Sequence, residues 1–205
     1  TTSSQGPIVI NVGVTGEINN QHIKKRSDGR AGDILCLTGE IGDSAGGLQV
    51  ILEGLPEDQI AAKMLDQHLT PYPHVSEGLW LAQHQGVHAM IDVSDGIGSD
   101  LQHILKASNL EGFIELEKLP ISGELKQQSH TYEWNAIEMA ISGGEDYVLL
   151  LTVDASEYEK VAEGFRREFK RSLHPIGYLT QGDARITYLK DKKQVKDLKE
   201  GYRHF

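Results

Sequence analysis

The feature that most constrains the fold of this chain is an apolar segment followed at once by a turn rich in acids and glycines. Residues 89–91 are Ala-Met-Ile, and residues 92–100 are Asp-Val-Ser-Asp-Gly-Ile-Gly-Ser-Asp. Because glycine tolerates unusual backbone angles, it permits a tight turn here. Beyond the turn, apolar residues recur with the 3.6-residue period of a helix, at Ile97, Leu101, Ile104 and Leu105. The pattern predicts a buried strand, a tight turn and an amphipathic helix.

The same turn has the chemistry of a site for metal-bound phosphate. In an extended chain Asp92 and Ser94 project to one side while Val93 points into the core, and Asp95 then lies at the turn. Amide groups at a helix start attract anions, and carboxylates bind hard cations such as Mg²⁺. Clustered carboxylates repel one another unless a cation neutralises them. The stretch therefore predicts a magnesium and phosphate site, although a capped helix behind a buried strand would contain the same residue types.

The composition bounds the class of protein. The 205 residues, 39% of them hydrophobic, suffice for one full domain and leave room for part of another. The formal charge of −10 argues against a nucleic-acid groove or an anionic membrane surface, because both require clustered Lys and Arg. Cys36, the single cysteine, lies in an apolar run and is expected in the core. With no internal disulfide and no signal or membrane-spanning segment, we expect a cytoplasmic protein.

Helical and strand patterns alternate along the chain without repeats. This alternation predicts an α/β domain of the α+β type, with a mixed β-sheet layered with helices. Besides the strand and helix around residue 92, the predicted strands cover residues 8–14, 33–38, 112–116, 147–153, 174–179 and 184–189. The predicted helices cover residues 44–55, 57–69, 74–85, 132–141 and 156–170, with a polar helix after Pro120.

Two further glycine-rich turns and one arginine are candidates for ligand contacts. Residues 42–44, Gly-Asp-Ser, begin a predicted helix, where either a helix cap or a phosphate contact fits. Residues 143–146 are Gly-Gly-Glu-Asp, and Glu145 could accept hydrogen bonds from an amine or an aminopyrimidine, although a plain turn fits as well. Arg26 lies in a basic connector and could contact solvent or a nucleotide phosphate. The chain has neither a Walker-type loop nor a Rossmann glycine fingerprint.

Taken together and in order, these motifs resemble the thiamine-monophosphate kinase family of the aminoimidazole ribonucleotide synthetase-like superfamily. The resemblance covers essentially the whole chain. The motifs that carry it are Val-Thr-Gly-Glu at 14–17, Arg-Ser at 26–27, Gly-Asp-Ser-Ala at 42–45, Ile-Asp-Val-Ser-Asp-Gly at 91–96, Ser-Gly-Gly-Glu-Asp-Tyr at 142–147 and Gly-Tyr at 201–202.

The resemblance implies transfer of the terminal phosphoryl group of ATP to thiamine phosphate, with several Mg²⁺ ions. By position, it implies that Asp92 and Asp95 are magnesium ligands and that Arg26 and Ser94 contact ATP. It also implies that Glu145 and Tyr202 contact thiamine phosphate. Because the acceptor phosphate is already ionised at neutral pH, catalysis needs charge neutralisation and in-line positioning rather than a strong base.

The resemblance also implies a domain organisation. Residues 1–18 correspond to the last strand of an N-terminal ATP-binding and dimerisation domain that this chain otherwise lacks, and residues 19–205 correspond to the C-terminal α/β domain. We therefore expect a homodimer when the N-terminal domain is present, and no activity from this chain alone. Two alternatives stay open: another ATP-dependent member of the superfamily, such as the ligase that closes the aminoimidazole ring, and a non-catalytic nucleotide-binding domain.

Overall fold

The structure is a computed structural model that describes residues 6, 10–56, 58–195 and 198. Its strands are β1 (Ile34–Leu37), β2 (Val87–Asp92), β3 (Leu110–Glu115), β4 (Leu149–Val153), β5 (His174–Gln181), β6 (Ile186–Lys190) and β7 (Lys193–Gln194). Its α-helices are α1 (Asp43–Glu53), α2 (Gln59–Leu69), α3 (Val75–Ala82), α4 (Ile97–Ser108), α5 (Gly123–Thr131), α6 (Ala136–Ser142) and α7 (Tyr158–Phe169). Three short 3-10 turns span Asn20–His22, Arg26–Asp28 and Leu116–Lys118. Among the described helices, none is long and apolar enough to cross a membrane.

The strands form one mixed sheet in the order β2-β4-β1-β5-β3-β6-β7. All neighbours pair antiparallel except β3 and β6, which are parallel. This arrangement confirms the predicted fold class. The predicted helices and strands from residue 33 onwards are present, with ends that differ by a few residues.

The strand predicted at residues 8–14 is not formed in the part of it that the structure describes. Residues 10–14 have no regular secondary structure, and the side chains of Ile10, Val12 and Val14 are 82%, 81% and 90% exposed. The alternating pattern is present, but a strand also needs a neighbour for its amide and carbonyl groups, and these residues have none among those described. Residues 8 and 9 lie outside the described part of the chain.

Apolar side chains of the sheet pack into two cores. Leu35 and Leu37 of β1 contact the larger core, which also contains Leu101 and Ile104 of α4. Cys36, between them, points to the opposite face and joins the smaller core with Phe165 of α7. The alternation follows from the pleat of a strand, which directs successive side chains to opposite faces. Cys36 is fully buried, as predicted, and burial raises the pKa of its thiol well above the usual range.

The topology brings three glycine-rich turns to one edge of the sheet. Strand β4 lies between β1 and β2 and runs antiparallel to both, with Leu37 opposite Leu150 and Asp92 opposite Leu149. The turns that follow β1 and β2 therefore meet the turn that precedes β4. These are the turns at residues 42–44, 92–96 and 143–146, which are far apart in sequence.

Candidate functional site

A cavity of about 350 Å³ lies where the three turns meet. It is lined by Ser44, Ala45, Leu48, His68, Ser94, Asp95, Ser142, Gly143, Gly144 and Glu145. The structure thus brings together Ser94, Asp95 and Glu145, which the sequence placed in one site. It adds His68, whose ring nitrogen Nδ1 lies 3.0 Å from the hydroxyl of Ser44. No local sequence pattern marks His68, which is the second-last residue of α2.

Backbone hydrogen bonds hold two of the turns together. The amide of Glu145 donates to the carbonyl of Ser94 (2.9 Å), and the amide of Tyr147 donates to the carbonyl of Val93 (2.9 Å). In return, the amide of Val93 donates to the carbonyl of Val148 (2.8 Å). These bonds continue the pairing of β2 with β4 beyond the strands, and so they fix the distance between Ser94 and Glu145.

Asp100 stabilises the turn that carries Ser94 and Asp95. Its Oδ2 atom accepts the amide N–H groups of Ser94 and Asp95, each at 3.0 Å. The side chain is almost fully buried, and this burial raises the pKa of Asp100, while the two amide bonds act in the opposite direction. Of the three acids in the turn, Asp100 therefore has a structural partner already.

Asp92 and Asp95 are the two acids that remain for a ligand. Asp92 is exposed at the end of β2, and Asp95 is half-buried at the rim of the cavity. Among the described residues, neither carboxylate makes a hydrogen bond or an ion pair. No group of three or more His, Cys, Asp or Glu side chains in the described part of the chain could hold a metal ion. This pair still fits Mg²⁺, because Mg²⁺ commonly binds one or two carboxylates and completes its shell with substrate phosphates and water.

Asp146 joins the turn before β4 to the start of α1. Both of its carboxylate oxygens lie within 3.1 Å of the Gly42 amide, which donates to them. Burial raises the pKa of Asp146 to about 7, against the effect of its bonds from the amides of Gly42 and Ser44. Asp43 accepts a hydrogen bond from the hydroxyl of Ser122 (2.5 Å), and burial raises its pKa to about 6. Both acids are thus already engaged by groups of the fold.

The raised pKa of Asp146 predicts a pH dependence of stability. A carboxyl group with a higher pKa in the folded state binds its proton more tightly there, so its stabilising effect is complete below the unfolded pKa of 3.8. We expect this contribution to the free energy of unfolding to fall as the pH rises from about 4 to about 7 and then to level off.

Urea denaturation at several pH values measures this contribution. Asp146→Asn should flatten the fall, since asparagine does not titrate, whereas Asp191→Asn, a change at an exposed turn residue, should leave it unchanged. An equal fall in the wild type and in Asp146→Asn would contradict the assignment.

Among the described residues, Asp92 and Arg26 are predicted site residues that do not line the cavity. Arg26 begins a 3-10 turn, and its carbonyl accepts a hydrogen bond from the hydroxyl of Ser108 (2.8 Å), the last residue of α4. Ser94 and Asp95 precede the first residue of this 12-residue helix, which is about 18 Å long. Arg26 as an ATP contact therefore stays a prediction. Tyr202 lies outside the described residues.

Comparison with known proteins identifies the class to which this fold and site belong. The family model described as AIR synthase related protein, C-terminal domain, matches residues 30–189. The chain belongs to this family. Solved structures of the hydrogenase maturation protein HypE from E. coli share the fold, with a TM-score of 0.68 at 16% identity over 86% of this chain and 52% of that one.

Within the family, the chain is similar to thiamine-monophosphate kinases. That of Buchnera aphidicola subsp. Schizaphis graminum is 31% identical over 205 residues, which are 99% of this chain and 62% of the relative. That of Salmonella typhimurium is 37% identical over 74% of this chain and 46% of the relative. The solved structure of AaThiL complexed with AMPPCP and TMP has a TM-score of 0.73 at 30% identity, over 89% of this chain and 54% of that one. This chain thus spans about 62% of the length of the first of these relatives.

Proposed function

We propose that this chain is the C-terminal part of a thiamine-monophosphate kinase, which transfers the terminal phosphoryl group of ATP to thiamine phosphate. The observation that carries the proposal is the meeting of Ser94, Asp95 and Glu145 at one cavity, although 50 positions separate Asp95 from Glu145. The relatives named thiamine-monophosphate kinases and the neighbouring complex with AMPPCP and TMP support the same reaction.

The cavity and the helix beside it have groups for each part of this reaction. Helix α4 begins two residues after Asp95, and the start of a helix attracts phosphate, although no residue of α4 lines the cavity itself. The hydroxyl of Ser94 adds a donor at the cavity, and Ala45 and Leu48 give one wall an apolar surface suited to a ring of the acceptor. Glu145 can accept hydrogen bonds from the amino group of an aminopyrimidine, or it can face the cationic ring.

Asp92 and Asp95 would hold Mg²⁺ in this proposal. When bound, Mg²⁺ supplies neutralisation of the charge on the phosphate oxygens. The carboxylates of Asp92 and Asp95 have no partner among the described residues, so no hydrogen bond or ion pair within the described chain has to break for them to bind it.

Residues 10–18 support the proposal that this chain functions with a further N-terminal domain. They precede the matched family model, and their apolar side chains alternate and are exposed. We propose that residues 1–18 supply the last strand of that domain and that residues 19–205 form the C-terminal domain. The homodimer, which needs that domain, and the cytoplasmic location stay predictions.

A kinase assay on the full-length enzyme tests the proposal. With ATP, Mg²⁺ and thiamine phosphate, we expect thiamine diphosphate and ADP in equal amounts, and we expect no turnover from residues 1–205 alone. Transfer or ring closure with formylglycinamidine ribonucleotide instead would favour the ligase of the same superfamily. Binding of ATP and Mg²⁺ by calorimetry without product from any acceptor would favour a nucleotide-binding domain.

A further inference from the structure

The loop before β4 places two ordinary residues in a backbone conformation that usually requires glycine. Glu145 has a φ angle of 66° and Tyr147 has a φ angle of 51°. For a residue with a side chain, such an angle costs on the order of 1 kcal/mol or more, and it persists only where the surroundings enforce it. Here the amides of both residues are held by the carbonyls of Ser94 and Val93, and Asp146 between them is bound to Gly42. The loop is therefore fixed at three successive residues.

This conformation brings the side chains of Glu145 and Tyr147 together. The phenol hydroxyl of Tyr147 donates to Oε2 of Glu145 at 2.9 Å. In the described part of the chain, it is the only hydrogen-bond donor to the Glu145 side chain. Residues i and i+2 of a regular strand also project to the same side. Here, however, Glu145 and Tyr147 lie in a loop with two positive φ angles, and the fixed shape of this loop holds the two side chains together.

The charges around this pair favour the protonated form of the Tyr147 phenol. The hydrogen bond to Glu145 raises the pKa of Tyr147, and the negative charges of Asp92 and Asp95 raise it further. The phenol therefore keeps its proton and stays a donor to the carboxylate of Glu145.

We propose that Tyr147 is a positioning residue that holds the carboxylate of Glu145 at the cavity for the acceptor substrate. The proposal rests on the proposed function, in which Glu145 contacts thiamine phosphate. Tyr147 does not line the cavity, so it acts through Glu145. Its loss should weaken binding of the acceptor without changing the groups around the transferred phosphoryl group.

Tyr147→Phe in the full-length enzyme tests this role, since it removes only the hydroxyl. We expect the KM for thiamine phosphate to rise about tenfold, the scale of one hydrogen bond to a charged group, with kcat and the KM for ATP changed less than about twofold. Tyr178→Phe is the matched control, because Tyr178 stacks on Phe113 in the middle of the sheet, with ring centroids 5.0 Å apart. It should leave all three constants unchanged.

A double-mutant cycle separates this role from a structural one. In a Glu145→Gln background, Tyr147→Phe should add little to the KM for thiamine phosphate, because the carboxylate that it positions is gone. An unchanged KM in Tyr147→Phe, or an equal further rise in the Glu145→Gln background, would overturn the positioning role while the kinase function stands. Absence of turnover in the unsubstituted full-length enzyme would refute the proposed function and this role together.

Discussion

We expect Asp95→Asn to lower the turnover of the full-length enzyme by at least about 100-fold, because a metal ion that neutralises phosphate charge contributes several kcal/mol to the transition state. Asparagine keeps the size of the side chain and removes its charge. The fold should be unaffected, since the side chain of Asp95 makes no hydrogen bond or ion pair among the described residues, and the amide of Asp95 would still donate to Asp100. Steady-state kinetics as a function of Mg²⁺ concentration, with circular dichroism for the fold, measure both parts.

The matched control is Asp191→Asn, which removes one acid from an exposed turn far from the cavity in sequence and topology. Asp191 has a positive φ of 50°, which asparagine tolerates well, so the turn should keep its shape. Equal rates and an equal Mg²⁺ dependence in Asp95→Asn and in the control would show that Asp95 is not a metal ligand.

We expect Gly144→Ala to lower the free energy of unfolding by about 2 kcal/mol or more and to remove activity. A Cβ atom at residue 144 would lie 2.4 Å from the carbonyl oxygen of Ser94, which belongs to the backbone and cannot turn aside. To make room, the turn before β4 must move away from the turn after β2, and overpacking of this kind costs about 1–3 kcal/mol. The movement would also break the hydrogen bond between the Glu145 amide and Ser94.

Gly123→Ala is the control for this substitution. A Cβ atom at residue 123, the first residue of α5, would have no atom within 4 Å. Its effect on stability should stay within about 0.5 kcal/mol, the range of ordinary surface changes. Urea denaturation measures both variants, and equal stability of Gly144→Ala and Gly123→Ala would contradict the close contact of the two turns.

The local elements of the site could be predicted from the sequence. The apolar segment at residues 89–91, the glycines of the turn and the period of Ile97, Leu101 and Ile104 are all short-range signals. The structure contains the strand, turn and helix that they predict. Local signals were less successful where a neighbour decides the outcome: the alternation at residues 8–14 predicted a strand, but residues 10–14 have no strand to pair with among the described residues.

Without the family resemblance, the residue pattern did not separate the roles of the individual acids. Asp92, Asp95 and Asp100 are equivalent in a list of residues, yet Asp100 is bound to two backbone amides, while Asp92 and Asp95 have no such partner among the described residues. The difference depends on the direction in which α4 leaves the turn, because this direction points Asp100 back at the amides of Ser94 and Asp95. The spacing of the acids in the sequence does not show that direction. Tyr147 was missed as a partner of Glu145 because their hydrogen bond forms in a loop with two positive φ angles, which are rare outside glycine.

The sequence by itself determined the chemistry of this protein: a turn of acids and glycines between a buried strand and a helix, and a second glycine turn with Glu145. Only the tertiary structure decided that these turns form one site. Strand β4 lies between β1 and β2 and runs against both, so the start of β4 meets the ends of its two neighbours at one edge. Such pairing depends on contacts between residues far apart in the chain, which no local pattern encodes.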